Sequence, residues 1–344
     1  MSETQIWHGG DLDEARKLFP RAPEPWIDLS TGINPIPYPM PALLPSLFER
    51  LPSPEEHRDL EKAAAEAYGA RDPAMVVAAP GTQILIGLLP LLRPHSHVAI
   101  ISPTYAEHAL TWRQSGHEVV EVVSEQIPDS DVMVIVNPNN PDGRIHSRQM
   151  LVELAARQHR RGGWLVVDEA FADFDSGETI VPCVPKGAIV LRSFGKTYGL
   201  AGIRLGFAIA EPDISNLLRK ALGPWAVAGP AIAVGRNALR DKSWRDAAGR
   251  ARAADASRLG ELLRQAIGAD TVGTSLYRLA ESPAAGSLFS HLGRFGIWTR
   301  RFRENPNRLR LGLPGSDQAW ARLERAIAEF SCQDRKPLHG AGSR

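Results

Sequence analysis

The strongest constraint on this chain is a succession of short, almost wholly apolar runs, each separated from the next by a stretch with helical spacing. The runs are Met75–Ala79, Val98–Ser102, Glu118–Val123, Val132–Val136, Trp164–Asp168, Ile189–Arg192 and Leu205–Ala210. A strand that is apolar on both sides needs cover on both sides, and strands that alternate with helices pair in parallel through crossovers. The pattern therefore predicts an α/β fold whose large domain is built on a mainly parallel, doubly wound sheet of seven strands. Helical spacing also opens at Pro54, where Leu60, Ala63, Ala64, Ala67 and Tyr68 share one face and Gly69 stands where the helix would stop.

Around that frame the texture changes twice. Residues 1–45 are rich in proline and glycine, with Pro35, Pro37, Pro39 and Pro41, which predicts an extended arm lying on the active site and the small domain. Residues 46–222 are read as the large domain. Gly223, Pro224, Gly229 and Pro230 then mark a link into a smaller α/β domain over 223–332. There the spacing predicts helices at Ser243–Gln265, Gly286–Phe295 and Asp317–Phe330, and strands at Leu276–Leu279 and Leu309–Leu313. The polar stretch 333–344 is expected to be a flexible tail.

Composition narrows the partners. The 344 residues carry Lys+Arg 40 against Asp+Glu 39, a formal charge of +1, so no global field gathers nucleic acid or an anionic membrane surface. The longest apolar run, Met75–Leu92, is broken at Pro80–Gln83 and again at Pro90, so no segment is expected to cross a bilayer. Cys183 and Cys332 lack the neighbouring thiols or histidines of a zinc site, which predicts no metal and a reducing, cytoplasmic setting. The first residues show no basic segment followed by an apolar one, so no secretory signal is expected.

The most informative stretch is Ser193-Phe194-Gly195-Lys196, directly after a predicted strand and followed by Gly199, Gly202 and Arg204. A phosphate-cradling P-loop would need a glycine where Val190 stands. The Ser-x-x-Lys of β-lactamase-type enzymes lacks its companion motifs here. The third reading is a lysine that forms a Schiff base with pyridoxal 5'-phosphate, with Ser193 and Arg204 on the cofactor's phosphate. That cofactor accepts electrons only while its ring nitrogen stays protonated, which calls for a sheltered carboxylate, and Asp168 closes an apolar strand. Such an aspartate also fits a plain helix cap.

Further candidates follow other strand ends, where open α/β sheets bind ligands. Gly81-Thr82-Gln83 opens a helix, a place that suits a phosphate and equally an ordinary turn. Within Asn137–Gly143 an asparagine amide fits the cofactor's ring oxygen, and the stretch also fits a simple turn. Tyr105 is placed either to stack on the ring or to pack in the core.

As a set, Asn137–Gly143, Asp168-Glu169-Ala170 and Ser193-x-x-Lys196 with Arg204 resemble the fold-type I pyridoxal-phosphate enzymes of the aspartate aminotransferase superfamily, over most of the chain. The resemblance implies Lys196 as Schiff-base lysine, Asp168 as partner of the ring nitrogen, Asn140 as donor to the ring oxygen and Tyr105 as stacking residue. It also implies Gly81, Thr82, Gln83, Ser193 and Arg204 at the phosphate, and a homodimer. Many relatives carry tyrosine where this chain has Phe171, so that hydroxyl is absent here.

Within the superfamily, His8-Gly9-Gly10, Trp26–Pro35, Leu222-Gly223-Pro224-Trp225 and Leu309–Pro314 are similar to the threonine-phosphate decarboxylase branch of cobalamin biosynthesis. Leu51-Pro52 stands where histidinol-phosphate aminotransferases usually show Tyr-Pro. The branch implies decarboxylation of O-phospho-L-threonine to (R)-1-amino-2-propanol O-2-phosphate. Two substrate anions then need holding, for which arginine is the bidentate choice. Arg310 is assigned to the carboxylate, with Arg308 as fallback, and Arg300, His8 and Asn34 to the rest of the substrate, including its phosphate. A histidinol-phosphate-type aminotransferase is the nearest rival. A cofactor-binding regulator and an inactive scaffold are weaker, since no DNA-binding segment is visible and both Lys196 and Asp168 are present.

Overall fold

All seven predicted strands form, and they join one sheet. In the computed structural model, which describes residues 8–123 and 128–334, they are β1 (Val76–Ala79), β2 (His97–Ile101), β3 (Glu118–Val122) and β4 (Val132–Val136), then β5 (Trp164–Asp168), β6 (Ala188–Ser193) and β7 (Gly206–Ala210). Their order across the sheet is β1-β7-β6-β5-β4-β2-β3. The run from β6 to β3 is parallel throughout, while β7 lies antiparallel to both β6 and β1. Every residue of β4 and β5 is buried, and each fully buried Val, Ile or Leu contributes about 1.5–3 kcal/mol. These strands are firmly held, and their carboxyl ends carry Asp168 and lead into the segment that holds Asn140.

Helices cover both faces of this sheet, as two apolar clusters show. They include α1 (Pro54–Tyr68), α2 (Thr82–Leu91), α3 (Glu107–Gln114), α4 (Arg148–Arg160), α5 (Pro212–Leu222) and α6 (Gly229–Arg240). The start and stop of α1 follow from its sequence. Ser53 accepts a hydrogen bond from Glu56 N, the Glu56 carboxylate accepts one from Ser53 N, Pro54 fills the first position, and Gly69 ends the helix with φ 79°.

Residues 36–250 make one unit, and the described residues of 1–35 and 251–344 make a second. The chain passes from one to the other within α7 (Lys242–Ile267). The second unit holds β8 (Thr271–Thr274), β9 (Tyr277–Glu281), β10 (Arg300–Arg301) and β11 (Arg308–Gly312) in an antiparallel sheet of order β10-β11-β9-β8. Helices α8 (Ala285–Arg294) and α9 (Asp317–Asp334) pack on it. The predicted arm is less extended than its prolines suggest. Leu12–Leu18 is helical, capped by Asp11, with Ala15 buried, and Ile27–Asp28 pairs in parallel with Ile297–Trp298. Residues 1–7 and 335–344, which hold the start of the chain and most of the expected tail, lie outside the described residues.

Candidate active site

The parallel register sets Asp168 between its neighbours, opposite Val136 of β4 and Leu191 of β6. Asp168 is 3% exposed, and both carboxylate oxygens are engaged. Oδ1 accepts from Ala170 N at 3.0 Å, and Oδ2 lies 2.9 Å from His108 Nε2. A carboxylate accepts only, so the His108 contact is an Nε2–H donor. Asp168 thus makes the local turn contact that a capping role predicts and is also held by a buried imidazole from α3, which fixes its orientation.

Lys196 follows β6 by one short turn, and its Nζ lies 4.6 Å from the centroid of the Phe171 ring. Phe171 stands three residues past Asp168 and is buried. That ring brings the lysine and the aspartate segment to one place. The hydroxyl that a tyrosine would add is absent from this position.

A third group gathers at the start of α2. Gly81 caps this helix without a side chain, at φ 90° and ψ 154°. A Cβ placed there would stand 2.6 Å from Arg204 Nη2, so the guanidinium lies directly against the helix start. Arg204 itself has a positive φ of 52°, which it shares among the described non-glycine residues with Trp225 alone, and such strain is retained where the surroundings impose it. Thr82 Oγ1 donates to the Arg192 carbonyl at 3.0 Å, tying α2 to the end of β6. Ser193 stands opposite Gly206 in the register, and a Cβ on Gly206 would meet Thr82 N at 2.5 Å. Unpaired N–H groups, the positive end of a helix dipole and an arginine make a cradle suited to a phosphate dianion. The Gln83 amide is turned elsewhere: it donates to Glu107 at 3.1 Å and accepts from the Tyr105 hydroxyl at 3.1 Å. Only its main-chain N–H remains to serve the cradle, and its side chain orients Tyr105, whose ring meets that of His108 edge-on.

In the loop after β4, Asn137 and Asn139 hold the chain. Asn137 Oδ1 accepts from His146 N at 2.7 Å. Asn139 accepts from Thr104 Oγ1 at 2.7 Å and donates to the Pro103 carbonyl and to Asp142. Asn140 sits half-buried between these anchors and the turn.

The second unit carries the candidate substrate residues. Arg310 on β11 is 6% exposed and donates to the Ser30 carbonyl at 3.0 Å. Burial pushes its guanidinium down to about 10, and Arg300 adds to that, while Tyr277 and Asp28 act the other way. It stays charged at neutral pH, and an anion placed against it would relieve the cost of burying that charge. Arg300 stands directly opposite Arg310 in the register. Asn34 is buried and accepts from Arg252 Nη1 at 3.3 Å. His8 is exposed, and the next turn is fixed by Gly10 N donating to Ser30 Oγ at 2.7 Å. Arg308 is committed to Glu281 at 2.9 Å, which leaves Arg310 as the buried member of the pair.

His108 is the site residue that the sequence analysis missed; the available signal was a histidine three positions past Tyr105. Two of the stretches that distinguished the branch, Leu51-Pro52 and Leu222–Trp225, contribute Pro52, Leu222, Pro224 and Trp225 to one cleft of about 710 Å³ in the larger unit. Among the described residues no cluster of His, Cys, Asp and Glu suits a metal ion, and no helix is long and apolar enough to cross a membrane.

Residues 26–315 match the family model for aminotransferase class I and II. Over 337 residues the chain is 42% identical to the threonine-phosphate decarboxylase of Pseudomonas aeruginosa, covering 96% of this chain and 99% of that one. It is 39% identical to a threonine-phosphate decarboxylase of Sinorhizobium sp. over 333 residues, covering 94% and 98%. Among solved structures, histidinol-phosphate aminotransferase from Sinorhizobium meliloti in complex with pyridoxal-5'-phosphate superposes with a TM-score of 0.78 at 18% identity, covering 96% of each chain.

Proposed function

Because this chain belongs to the aminotransferase class I and II family and takes pyridoxal 5'-phosphate as its cofactor, we propose that it decarboxylates O-phospho-L-threonine to (R)-1-amino-2-propanol O-2-phosphate and carbon dioxide. The observation that carries this reading is the likeness to two threonine-phosphate decarboxylases along almost the whole of each chain. The site chemistry supports it.

When bound, pyridoxal 5'-phosphate supplies an electron sink for the pair released as the bond between Cα and the carboxylate breaks. Lys196 Nζ would hold the cofactor through its aldehyde carbon, and the same amine would be the group that carries a proton to Cα. Asp168, oriented by His108 and Ala170 N, keeps the ring nitrogen protonated. The main-chain N–H groups of Thr82 and Gln83, with Ser193, Arg204 and the space left by the missing side chain of Gly81, would hold the cofactor's phosphate. Tyr105 stacks on the ring, and Asn140 serves the ring oxygen without the hydroxyl that Phe171 lacks. Arg310 takes the substrate carboxylate, and Arg300, Asn34 and His8 take the rest of the substrate, including its phosphate.

The same reading places the reaction in cobalamin biosynthesis, in the cytoplasm and in a homodimer. A monomer with full activity in dilute solution would remove the last of these. The deciding experiment incubates the holoenzyme with O-phospho-L-threonine, with and without a 2-oxo acid, and measures carbon dioxide and amino-group transfer together. Carbon dioxide released without the oxo acid is the expected result. Transfer to the oxo acid without carbon dioxide would establish the histidinol-phosphate-type alternative instead.

A further inference from the structure

We propose that Arg192 is a positioning residue for the cofactor site, joining the segments that carry Asp168, Lys196 and the start of α2. The inference rests on the assignment of that site to pyridoxal 5'-phosphate. Arg192 is the penultimate residue of β6 and only 2% exposed. Its Nη1 donates to Asp173 Oδ1 at 2.6 Å, and its Nη2 lies 2.8 Å from Glu169 Oε2 and 2.7 Å from Thr179 Oγ1. The guanidinium carbon sits 4.9 Å from the centroid of the Tyr68 ring.

Two of these contacts reach the segment that follows Asp168. Glu169 directly follows Asp168. Asp173 lies in the turn that presents Phe171, on whose ring Lys196 rests. The Arg192 main chain completes the set, because its carbonyl accepts from Thr82 Oγ1 and its next residue is Ser193. Successive side chains of a strand point to opposite faces, so the guanidinium braces one side of β6 while Ser193 is presented on the other.

Stability does not account for this group. One cation and two carboxylates buried together, with Arg192 Nε left without a partner among the described residues, are a costly way to fill a core that apolar side chains of equal volume would fill well. What the arrangement supplies is geometry: a planar fork that fixes the two carboxylates of the Glu169–Asp173 turn against the end of β6, which a lysine's single ammonium does not reproduce.

The test uses Arg192→Lys and the charge-free combination of Arg192→Met, Glu169→Gln and Asp173→Asn, which keeps volume without stranding a buried charge. Pyridoxal 5'-phosphate is titrated into each apoprotein, and circular dichroism of the bound cofactor's visible band is recorded beside kcat and KM. We expect the combined variant to fold with its melting temperature kept, to bind cofactor about tenfold more weakly and to lose kcat with little change in KM. Its visible dichroism should fall markedly. A folded combined variant with wild-type cofactor affinity and dichroism overturns the proposal. Should that variant not fold, Arg192→Lys decides by the same two readouts, and wild-type values overturn it equally. Neither readout depends on the substrate, so carbon dioxide release by the wild-type protein tests the decarboxylase reading separately.

Discussion

Replacing Gly81 with alanine probes the phosphate cradle at its tightest point. At φ 90° and ψ 154° the backbone occupies a region that belongs almost wholly to glycine, and a side chain there costs of order 1–3 kcal/mol. The new Cβ would also stand 2.6 Å from Arg204 Nη2 and 3.0 Å from Cζ. Those atoms are the far end of a flexible side chain, so the guanidinium moves while the helix stays. The displaced arginine then forfeits a charged hydrogen bond to the cofactor's phosphate, worth about 1.5–3 kcal/mol, or roughly a tenfold to hundredfold rise in Kd. The assay is titration of pyridoxal 5'-phosphate into apoenzyme, followed by visible absorbance. Gly202→Ala is the control, because a Cβ at Gly202 meets nothing within 4 Å. Wild-type cofactor affinity in Gly81→Ala would refute the placement of the phosphate at this helix start.

Other perturbations separate the remaining roles. Asp168→Asn removes the charge that protonates the ring nitrogen, so kcat should fall by about two orders of magnitude or more while the protein still binds cofactor; a kcat within twofold of wild type would contradict the assignment. Arg300→Ala should raise KM for O-phospho-L-threonine by about tenfold or more and leave cofactor occupancy intact, and unchanged substrate affinity would remove Arg300 from the site. At the start of α1, Ser53→Ala should cost about 1 kcal/mol in denaturant unfolding. The hydrogen bond from Arg50, with that from Ser53 N, holds the Glu56 carboxyl at about 2 against an ordinary 4.5. A folded-state value below the unfolded one gives stability that is complete above the unfolded value and is lost as pH falls toward the folded one. The melting-temperature gap between wild type and Glu56→Gln should therefore narrow from pH 6 to about pH 2, and a constant gap would contradict the pairing.

Much of the frame was legible because buried parallel strands announce themselves. Val132–Val136 and Trp164–Asp168 are bounded in the structure where their apolar runs begin and end. Direction was not legible: Gly206–Ala210 is as apolar as its neighbours, and nothing in a run of small apolar residues says that it lies antiparallel. Thr271–Thr274 passed unnoticed because a short Thr-Val-Gly-Thr stretch has neither apolar continuity nor clear alternation. In the arm the prolines outweighed the spacing of Leu12, Ala15 and Phe19, which meet the core of their unit.

The candidate site divides in the same way. Lys196, Asp168 and Arg204 stood out as candidates because the proposed chemistry asks for those residue types just past strand ends. The residues that orient them did not, since their partners are remote in sequence. His108 reaches Asp168 across sixty positions, and Arg192 looks from sequence alone like the polar end of an apolar strand. Gln83 shows the converse: its position was readable, but the side chain's commitment to Tyr105 and Glu107 depends on the register of α2 against α3.

The central claim is that one amine, on Lys196, carries the cofactor. Reduction of the holoenzyme with borohydride, followed by proteolysis and mass spectrometry, reads this directly. A pyridoxyl group fixed to the peptide containing Lys196, and absent from an inactive Lys196→Ala protein that has lost its visible band, is the predicted result. A pyridoxyl group on a different lysine, or normal turnover by Lys196→Ala, would contradict it.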